Sequence, residues 1–414
     1  MNVYLHTFGC RANRYDSESV RSMLLSSGAR VVDSLDEADV AVFNSCAVTA
    51  AAEADLRQQV RRAARRRPQI RSVVMGCASA VDDGRIAALP SVSHVIAGAD
   101  LEAVAGALDL PAAAVHGAPW AQSGARALLR IQDGCDEHCT FCVTTLARGA
   151  SRSRDADALV REAAALAGRH QEIVLTGIHI GHYGRDVGGS LSALVERLVR
   201  EVPRVRFRLS SLEATEVDDR LRELFAEPAR LAPHLHAPLQ SGCDRVLRRM
   251  GRHWYTAASY ARAVETLVRD APVFALGADV IAGFPGESDA DHRETLALID
   301  ALPFTYLHVF PVSIRPGTAA ARLDGAVPDA LVRRRARELR ERGSERERAH
   351  RTQRVGGSAD VVVVGGARER HGVTEDYLTV TMTEPVARGT RCNARLAGDA
   401  ARLLAVPAAD SFPA

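Results

Sequence analysis

The chain has 414 residues, 47% of them apolar and 25% charged, with a net charge of +2, the balance of a globular protein large enough for two or three domains. With so small a charge nothing global demands a nucleic-acid partner, and no apolar run approaches the roughly 18 residues needed to span a bilayer. All 53 basic residues are arginine. With so much alanine alongside, an arginine cluster reads first as compositional bias and counts as function only where a site can be named.

The eight cysteines are Cys10, Cys46, Cys77, Cys135, Cys139, Cys142, Cys243 and Cys392. They lack the density of a secreted disulfide framework, and the N-terminus (MNVYLHTFGCRANRYDSE) has no charged-then-apolar signal pattern. The expectation is a cytoplasmic protein with reduced thiols, in which grouped cysteines point to metal or redox chemistry.

Residues 1–105 alternate short apolar runs (Val3–Phe8, Val40–Asn44, Arg71–Met75) with stretches of helical length (Asp16–Ser27, Thr49–Arg67). This predicts βαβ units around a parallel sheet, flavodoxin-like in outline. Each run leads directly into a cysteine: FGC at Cys10, NSC at Cys46, MGC at Cys77. The carboxyl ends of strands form the ligand edge of an open α/β sheet, so these three cysteines are predicted to converge although distant in sequence.

Residues 106–124, rich in Ala, Pro and Gly, read as a linker. From 125 to 345 the β-then-α rhythm restarts, with strands predicted at Ala127–Gln132, Glu172–Thr176, Val205–Ser210, His234–Pro238, Ala275–Ile281 and Tyr306–Phe310. Helices are predicted between them at Asp155–Gly168, Leu191–Glu201, Glu216–Ala226, Thr256–Arg269 and Ser288–Ala301. Six βα units suit an incomplete parallel (βα)6 barrel with its chemistry at the strand ends. From Pro328 to about Arg351 an arginine- and glutamate-rich stretch reads as a solvated helix laced with opposite charges. Residues 346–408 carry Val361–Val364, Tyr377–Thr383, Arg391–Leu396 and Ala401–Ala405, parted by Gly and Pro, the pattern of a small all-β barrel.

The segment CDEHCTFC immediately follows the first barrel strand. Cys135, Cys139 and Cys142 offer three thiolates within eight residues and no fourth cysteine nearby. An electron-carrying 4Fe–4S cube usually has four cysteine ligands, whereas a catalytic metal keeps a position open. An open iron can chelate the amino and carboxylate groups of S-adenosylmethionine (SAM), and electron transfer into the sulfonium then yields a deoxyadenosyl radical. Zinc, with His138 as fourth ligand, is the competing reading.

Longer motifs carry a family resemblance. RIQDGCDEHCTFC followed by ARGASRSR resembles the radical SAM core of the methylthiotransferases, and TFGCRANRYDSE, FNSCAVT and VMGCAS resemble that family's N-terminal motifs. IVLTGIHIGHYGRD, RLSSLEATEV, HLHAPLQSGCDRVLRRM, DVIAGFPGE and LHVFPVSIRPGTAA follow the family pattern in order, and GVTEDYLTV resembles the RNA-binding TRAM domain, an OB-like β-barrel. Within the family, LTGIHIGHYGRD and NSCAVT are similar to the subgroup that methylthiolates threonylcarbamoyl-adenosine next to the tRNA anticodon. Members acting on isopentenyl-adenosine, or on an aspartate of a ribosomal protein, usually carry different segments there.

The resemblance implies two 4Fe–4S clusters, a radical cluster on Cys135, Cys139 and Cys142 and an auxiliary, sulfur-delivering one on Cys10, Cys46 and Cys77. It implies that SAM lies against Phe141, Gly177, Glu213, Gln240, Ile281 and Gly283. Arg148, Arg152 and Arg154 are expected to contact phosphates of a tRNA anticodon stem-loop. Electrons would come from a donor such as flavodoxin or ferredoxin, and no membrane is involved. Two departures stand out. VTTLARG follows Cys142 where the family usually has an Ile-Pro-Tyr-like stretch that would help wall the SAM pocket, and Cys243 replaces a usual serine. Cys243 and Cys392 therefore read as incidental thiols. The different-class alternative is an iron–sulfur RNA-binding protein without catalysis.

Overall fold

The computed structural model describes residues 1–111, 115, 122–269, 271, 273–366 and 370–408, so part of the expected linker lies outside the described residues. The first unit is a five-stranded parallel sheet in the order β2-β1-β3-β4-β5, with β1 Asn2–Thr7, β2 Arg30–Val32, β3 Val40–Ser45, β4 Arg71–Gly76 and β5 Val92–Val95. Every residue of the central β3 is buried, as a parallel strand covered on both faces requires. Helices Arg11–Ser26 and Ala50–Arg66 follow β1 and β3. The hydroxyl of Thr49 accepts from the Ala52 N–H and so starts the second helix directly after the NSCAV turn.

The second unit is an arc of six parallel strands: β6 Ala127–Arg130, β9 Glu172–Thr176, β10 Arg206–Leu209, β11 His234–His236, β12 Ala275–Ala282 and β13 Tyr306–Pro311. The two three-stranded sheets of this arc meet at the parallel bridges Phe207–Leu231 and Ser211–His236. A short antiparallel ladder, β7 Gln132–Asp133 with β8 Arg152–Ser153, pinches the base of the loop that carries CDEHCTFC. Alternate residues such as Leu276, Ala278, Val280 and Ala282 pack outward on the helices in one core. The other face of the arc is concave and polar.

Helix Asp329–Arg354 corrects two expectations. It is not solvated throughout, because Val332, Ala336 and Leu339 pack under the arc and Arg335, 1% exposed, pairs with Glu287 and Asp289. A domain limit at 345 also falls inside this continuous helix, so the third unit begins after Arg354. That unit is a closed barrel of β14 Ser358–Val363, β15 His371–Val373, β16 Thr379–Met382, β17 Arg391–Gly398 and β18 Leu403–Pro407. It docks beneath β9 and β10. There Glu172, fully buried, holds Arg206 and Arg208, and Arg208 donates onward to the carbonyls of Thr374 and Glu375, both at 2.9 Å. Among the described residues no helix is long and apolar enough to cross a membrane.

Candidate functional site

The three strand-end cysteines stand where the strands of the first sheet stop. Cys10 follows β1 and precedes helix Arg11–Ser26, Cys46 follows β3, and Cys77 follows β4. They approach one another around Asn13, whose Oδ1 lies 4.0 Å from the Cys10 Sγ and 3.6 Å from the Cys77 Sγ. The Asn13 amide itself is anchored by donating to the carbonyls of Phe8 and Ser45. Gly9 has φ +87°, and a Cβ there would stand 2.6 Å from the Cys46 Sγ. Glycine is the residue that lets Cys10 and Cys46 come together.

Cys135, Cys139 and Cys142 lie on one loop, stitched down by Cys135 N–H to the Gly149 carbonyl and by Thr140 N–H to the Met250 carbonyl. Each sulfur already faces a donor. The Glu137 N–H points at the Cys135 Sγ (3.4 Å), the Arg252 guanidinium at Cys139 (3.3 Å) and the Thr144 N–H at Cys142 (3.3 Å). Donors to sulfur are what a thiolate-held cluster uses to set its charge balance. Burial pushes the Cys139 thiol up to about 12 and Cys46 up to about 11, while Arg252 and Arg148 respectively pull the other way. Such thiols ionise when a metal takes the proton's place.

Neither triad is among the groups of metal-ligating residues whose ligand atoms lie within 4.8 Å of one another. Sulfurs sharing one tetrahedral zinc would sit about 4 Å apart at the usual Zn–S length of ~2.3 Å. The wider spacing and the all-cysteine donor sets fit a multi-iron cluster better than a single ion, and His138 has no contact with the cysteine sulfurs.

Arg148, at the end of the short helix Thr144–Arg148 that follows Cys142, reaches from the cysteine loop to the strand-end set. Its side chain is 3% exposed; Nη2 donates to Asn13 (2.7 Å) and Asp16 (2.7 Å), Nη1 to Asp133 (3.1 Å), and Nε to the Cys77 Sγ (3.2 Å). This corrects the expectation of an RNA-contacting Arg148, since a guanidinium spent on four internal partners has nothing left for phosphate. Arg154 is likewise turned inward, to Tyr15, Glu162 and the Arg130 carbonyl. Only Arg152 of the three is exposed, bonded to the carbonyls of Ala150 and Arg148. The stretch after Cys142 also has a new role. Val143 joins the apolar cluster of Phe8, Cys46, Ala47 and Ala78, so VTTLARG docks the loop on the first unit.

The residues expected around SAM divide. Glu213 is buried, accepting from Arg252 and from the Trp254 indole, and so reaches Cys139 through Arg252. Gln240 takes a left-handed φ of +63° and bridges to Val280 at the end of β12. Phe141 meets Phe284 edge-on, with Ile281 in the same cluster. Gly177 abuts the Gln132 carbonyl, 2.8 Å from where a Cβ would stand. Gly283 does not face a pocket: its N–H is held by Glu287 (2.6 Å), and Val332 fills the place of its side chain.

Sequence reasoning missed His179, His182 and Glu216. The His179 Nδ1 lies 3.7 Å from the Cys135 Sγ and its Nε2 3.0 Å from Glu216, while the His182 ring stacks on it at 3.7 Å. Burial works against a charge on His179, but the Cys135 sulfur and Glu216 hold its pKa up to about 10. Burial and the cationic neighbour push His182 down to about 4. The double histidine in GIHIGH was the available signal. A cleft of about 540 Å³ opens elsewhere, between helix Arg11–Ser26, β6, β9 and the C-terminal barrel, with Arg11, Arg14, Arg21, Arg126 and Arg388 on its walls.

Two family models match, "Uncharacterized protein family UPF0004" over residues 2–98 and "Radical SAM superfamily" over residues 129–299. The threonylcarbamoyladenosine tRNA methylthiotransferase MtaB of Aquifex aeolicus is 32% identical over 398 residues, covering 92% of this chain and 96% of its own. The MtaB of Bacillus subtilis is 36% identical, covering 81% and 79%. The tRNA-2-methylthio-N(6)-dimethylallyladenosine synthase of Acidithiobacillus ferrooxidans is 34% identical, covering 89% and 87%. Among solved structures, the radical SAM methyltransferase TsrM from Kitasatospora setae superposes with a TM-score of 0.58 at 15% identity over 77% of this chain and 76% of that one, a likeness of fold alone. With relatives this similar along nearly its whole length and cysteine sets of this geometry, the chain belongs to the radical SAM methylthiotransferase family.

Proposed function

We propose that this protein inserts a methylthio group at C2 of threonylcarbamoyl-adenosine beside the anticodon of tRNA. The observation that carries the reading is a second cysteine triad beside the radical one: Arg148, at the end of the short helix that follows Cys142, bonds the Cys77 sulfur, so a sulfur-delivering site adjoins the radical-generating loop. When bound, a 4Fe–4S cluster at each triad together with SAM supplies the electron, the radical and the sulfur that C2 of an adenine cannot obtain from acid–base chemistry.

The chain's own residues bind, orient and exclude water. Cys135, Cys139 and Cys142 would hold the radical cluster and leave one iron open to SAM, with Phe141, Ile281, Glu213, Gln240 and Gly177 as the residues that would line its site. Cys10, Cys46 and Cys77 hold the auxiliary cluster. The flavodoxin-like first unit, the incomplete (βα)6 barrel and a TRAM-like C-terminal barrel are the finer fold assignments in this reading, with limits near 105 and 125. The arginine-walled cleft between the three units supports a polyanion bound there, and Arg152 remains an available phosphate contact. An electron donor such as flavodoxin or ferredoxin and a cytoplasmic setting complete it.

The test is anaerobic reconstitution with iron, sulfide and SAM, followed by incubation with reductant and tRNA carrying threonylcarbamoyl-adenosine. Nucleoside analysis is expected to show the 2-methylthio derivative. Conversion only of dimethylallyl-adenosine, or of neither base, would overturn the substrate.

A further inference from the structure

Strands β11, β12 and β13 turn a ladder of side chains into the concave face of the arc. Leu276, Ala278, Val280, Leu307 and Val309 pack outward on the helices, which leaves Gly277, Asp279, Ile281, Tyr306, His308 and Phe310 facing inward. Register places these in layers, with Gly277 opposite Tyr306, Asp279 opposite His308 and Ile281 opposite Phe310. The first layer is closed. The Tyr306 hydroxyl is shared by His234 (2.8 Å) and His236 (3.1 Å), and the Tyr377 ring of the C-terminal barrel stacks on His234.

The second layer is polar and open. Asp279 Oδ1 lies 2.9 Å from His236 Nε2 and 3.4 Å from His308 Nδ1. The His308 side chain is nevertheless 54% exposed, and among the described residues its Nε2 has no hydrogen-bond partner. The third layer, Ile281 and the part-exposed Phe310, is apolar and lies toward the strand ends where the cysteine loop is found. A flat base resting on the third layer would thus turn its edge substituent toward an imidazole whose far nitrogen is unused.

We propose that His308, oriented by Asp279, receives the substituent on N6 of the target adenine and selects a carboxylate-bearing, hydrogen-bonding group over an aliphatic one. The inference rests on the function proposed above and deepens it. With Nδ1–H given to Asp279, the far nitrogen is left to hydrogen-bond the substituent: as a neutral ring Nε2 accepts from an N–H or hydroxyl, and as a cation Nε2–H donates to a carboxylate or carbonyl. An aliphatic substituent would cover the same layer and leave its polar groups without a partner. A site built for hydrogen bonds rejects the analogue that lacks them more strongly than an apolar pocket rejects an added polar group.

The experiment compares reconstituted wild type, His308→Phe and His308→Gln on three anticodon stem-loops, bearing threonylcarbamoyl-adenosine, dimethylallyl-adenosine or unsubstituted adenosine. His308→Phe is expected to lose roughly tenfold or more in affinity and kcat/KM for the first RNA, as loss of a charge-assisted hydrogen bond implies, with little change for the unsubstituted one. His308→Gln, which keeps a donor, is expected to recover part of the loss. Equal weakening toward all three RNAs would mark a merely structural role and overturn the inference, as would an unchanged preference. Stoichiometric zinc that disappears in His308→Phe would reassign the layer to a metal. Wild type inactive on threonylcarbamoyl-adenosine tRNA sinks the function itself. Wild type active there with His308→Phe undiminished sinks only this inference. Iron and sulfide content, matched between variants, reports that the fold is intact.

Discussion

Cys135, Cys139 and Cys142 share one loop, whereas Cys10, Cys46 and Cys77 arrive from three separate strand ends. The loop set is arranged by local hydrogen bonds, with backbone N–H groups of Glu137 and Thr144 aimed at its sulfurs. The strand-end set depends on a folded sheet and on Asn13 beneath it. Each set has one buried arginine on a sulfur: Arg252, held by Glu213, at Cys139, and Arg148, held by Asp16 and Asp133, at Cys77. The loop set draws its three thiols from eight consecutive residues, although Thr140 and Cys139 also reach beyond them, to Met250 and Arg252. A distributed set reports on the whole domain and on its contact with the next.

The largest effect that would break this comparison comes from the cysteines themselves. Replacing Cys135, Cys139 and Cys142 together by Ala is expected to halve iron and sulfide and abolish deoxyadenosine formation from SAM. Replacing Cys10, Cys46 and Cys77 should also halve the iron while SAM cleavage persists and methylthiolation stops. If either triple variant kept its full iron content, that triad would not be a ligand set.

Arg148→Ala comes next. It leaves Arg130 as the remaining cation on Asp16 and Asp133 across the interface between the first two units, a loss below the roughly 3–5 kcal/mol of a buried pair broken outright. Thermal unfolding should show it. An EPR-monitored titration should show the auxiliary cluster's potential move more negative while the radical cluster's stays put, and equal movement of both would dissolve the distinction between the sites.

The smallest effect is a pH dependence confined to the loop side. His182 is lowered to about 4 from 6.5 by burial and by the stacked His179. Its neutral form therefore supports the fold fully above pH 6.5, and that support is lost as pH falls toward 4, because the unfolded chain takes up the proton first. His182→Gln should flatten this part of the stability profile. Among the described residues no histidine hydrogen-bonds to Cys10, Cys46 or Cys77, so mutations there should leave its slope unchanged.

Much of the scaffold was legible because strand and helix periods are local. Glu172–Thr176 and Leu191–Glu201 appear with the bounds read from the sequence, and the six arc strands agree to within about two residues. Short, half-exposed β2, β5 and β15 carry too few apolar residues to announce themselves. The cysteines were readable from their spacing and from the strands that precede them. Arg148 was not, since the carboxylate that buries it, Asp16, is 132 residues away and nothing local separates a buried arginine from the many others. The same holds for Arg206 and Arg208. Gly283 misled for the opposite reason: a glycine at a strand end suits a ligand, but equally suits a helix packing close above it.

The cations under β10 have a consequence for how the protein can be taken apart. Arg208 completes its hydrogen bonds only with carbonyls of the C-terminal barrel, and Arg206 reaches the Asp360 carbonyl there. A chain ended after Arg354 would strip both guanidiniums of these acceptors and open the buried ion-pair cluster around Glu172 to water. The third unit is therefore not a detachable handle for RNA. It is part of the foundation on which the concave face is built, and swapping it for a foreign binding module would have to restore those carbonyls before any question of specificity arose.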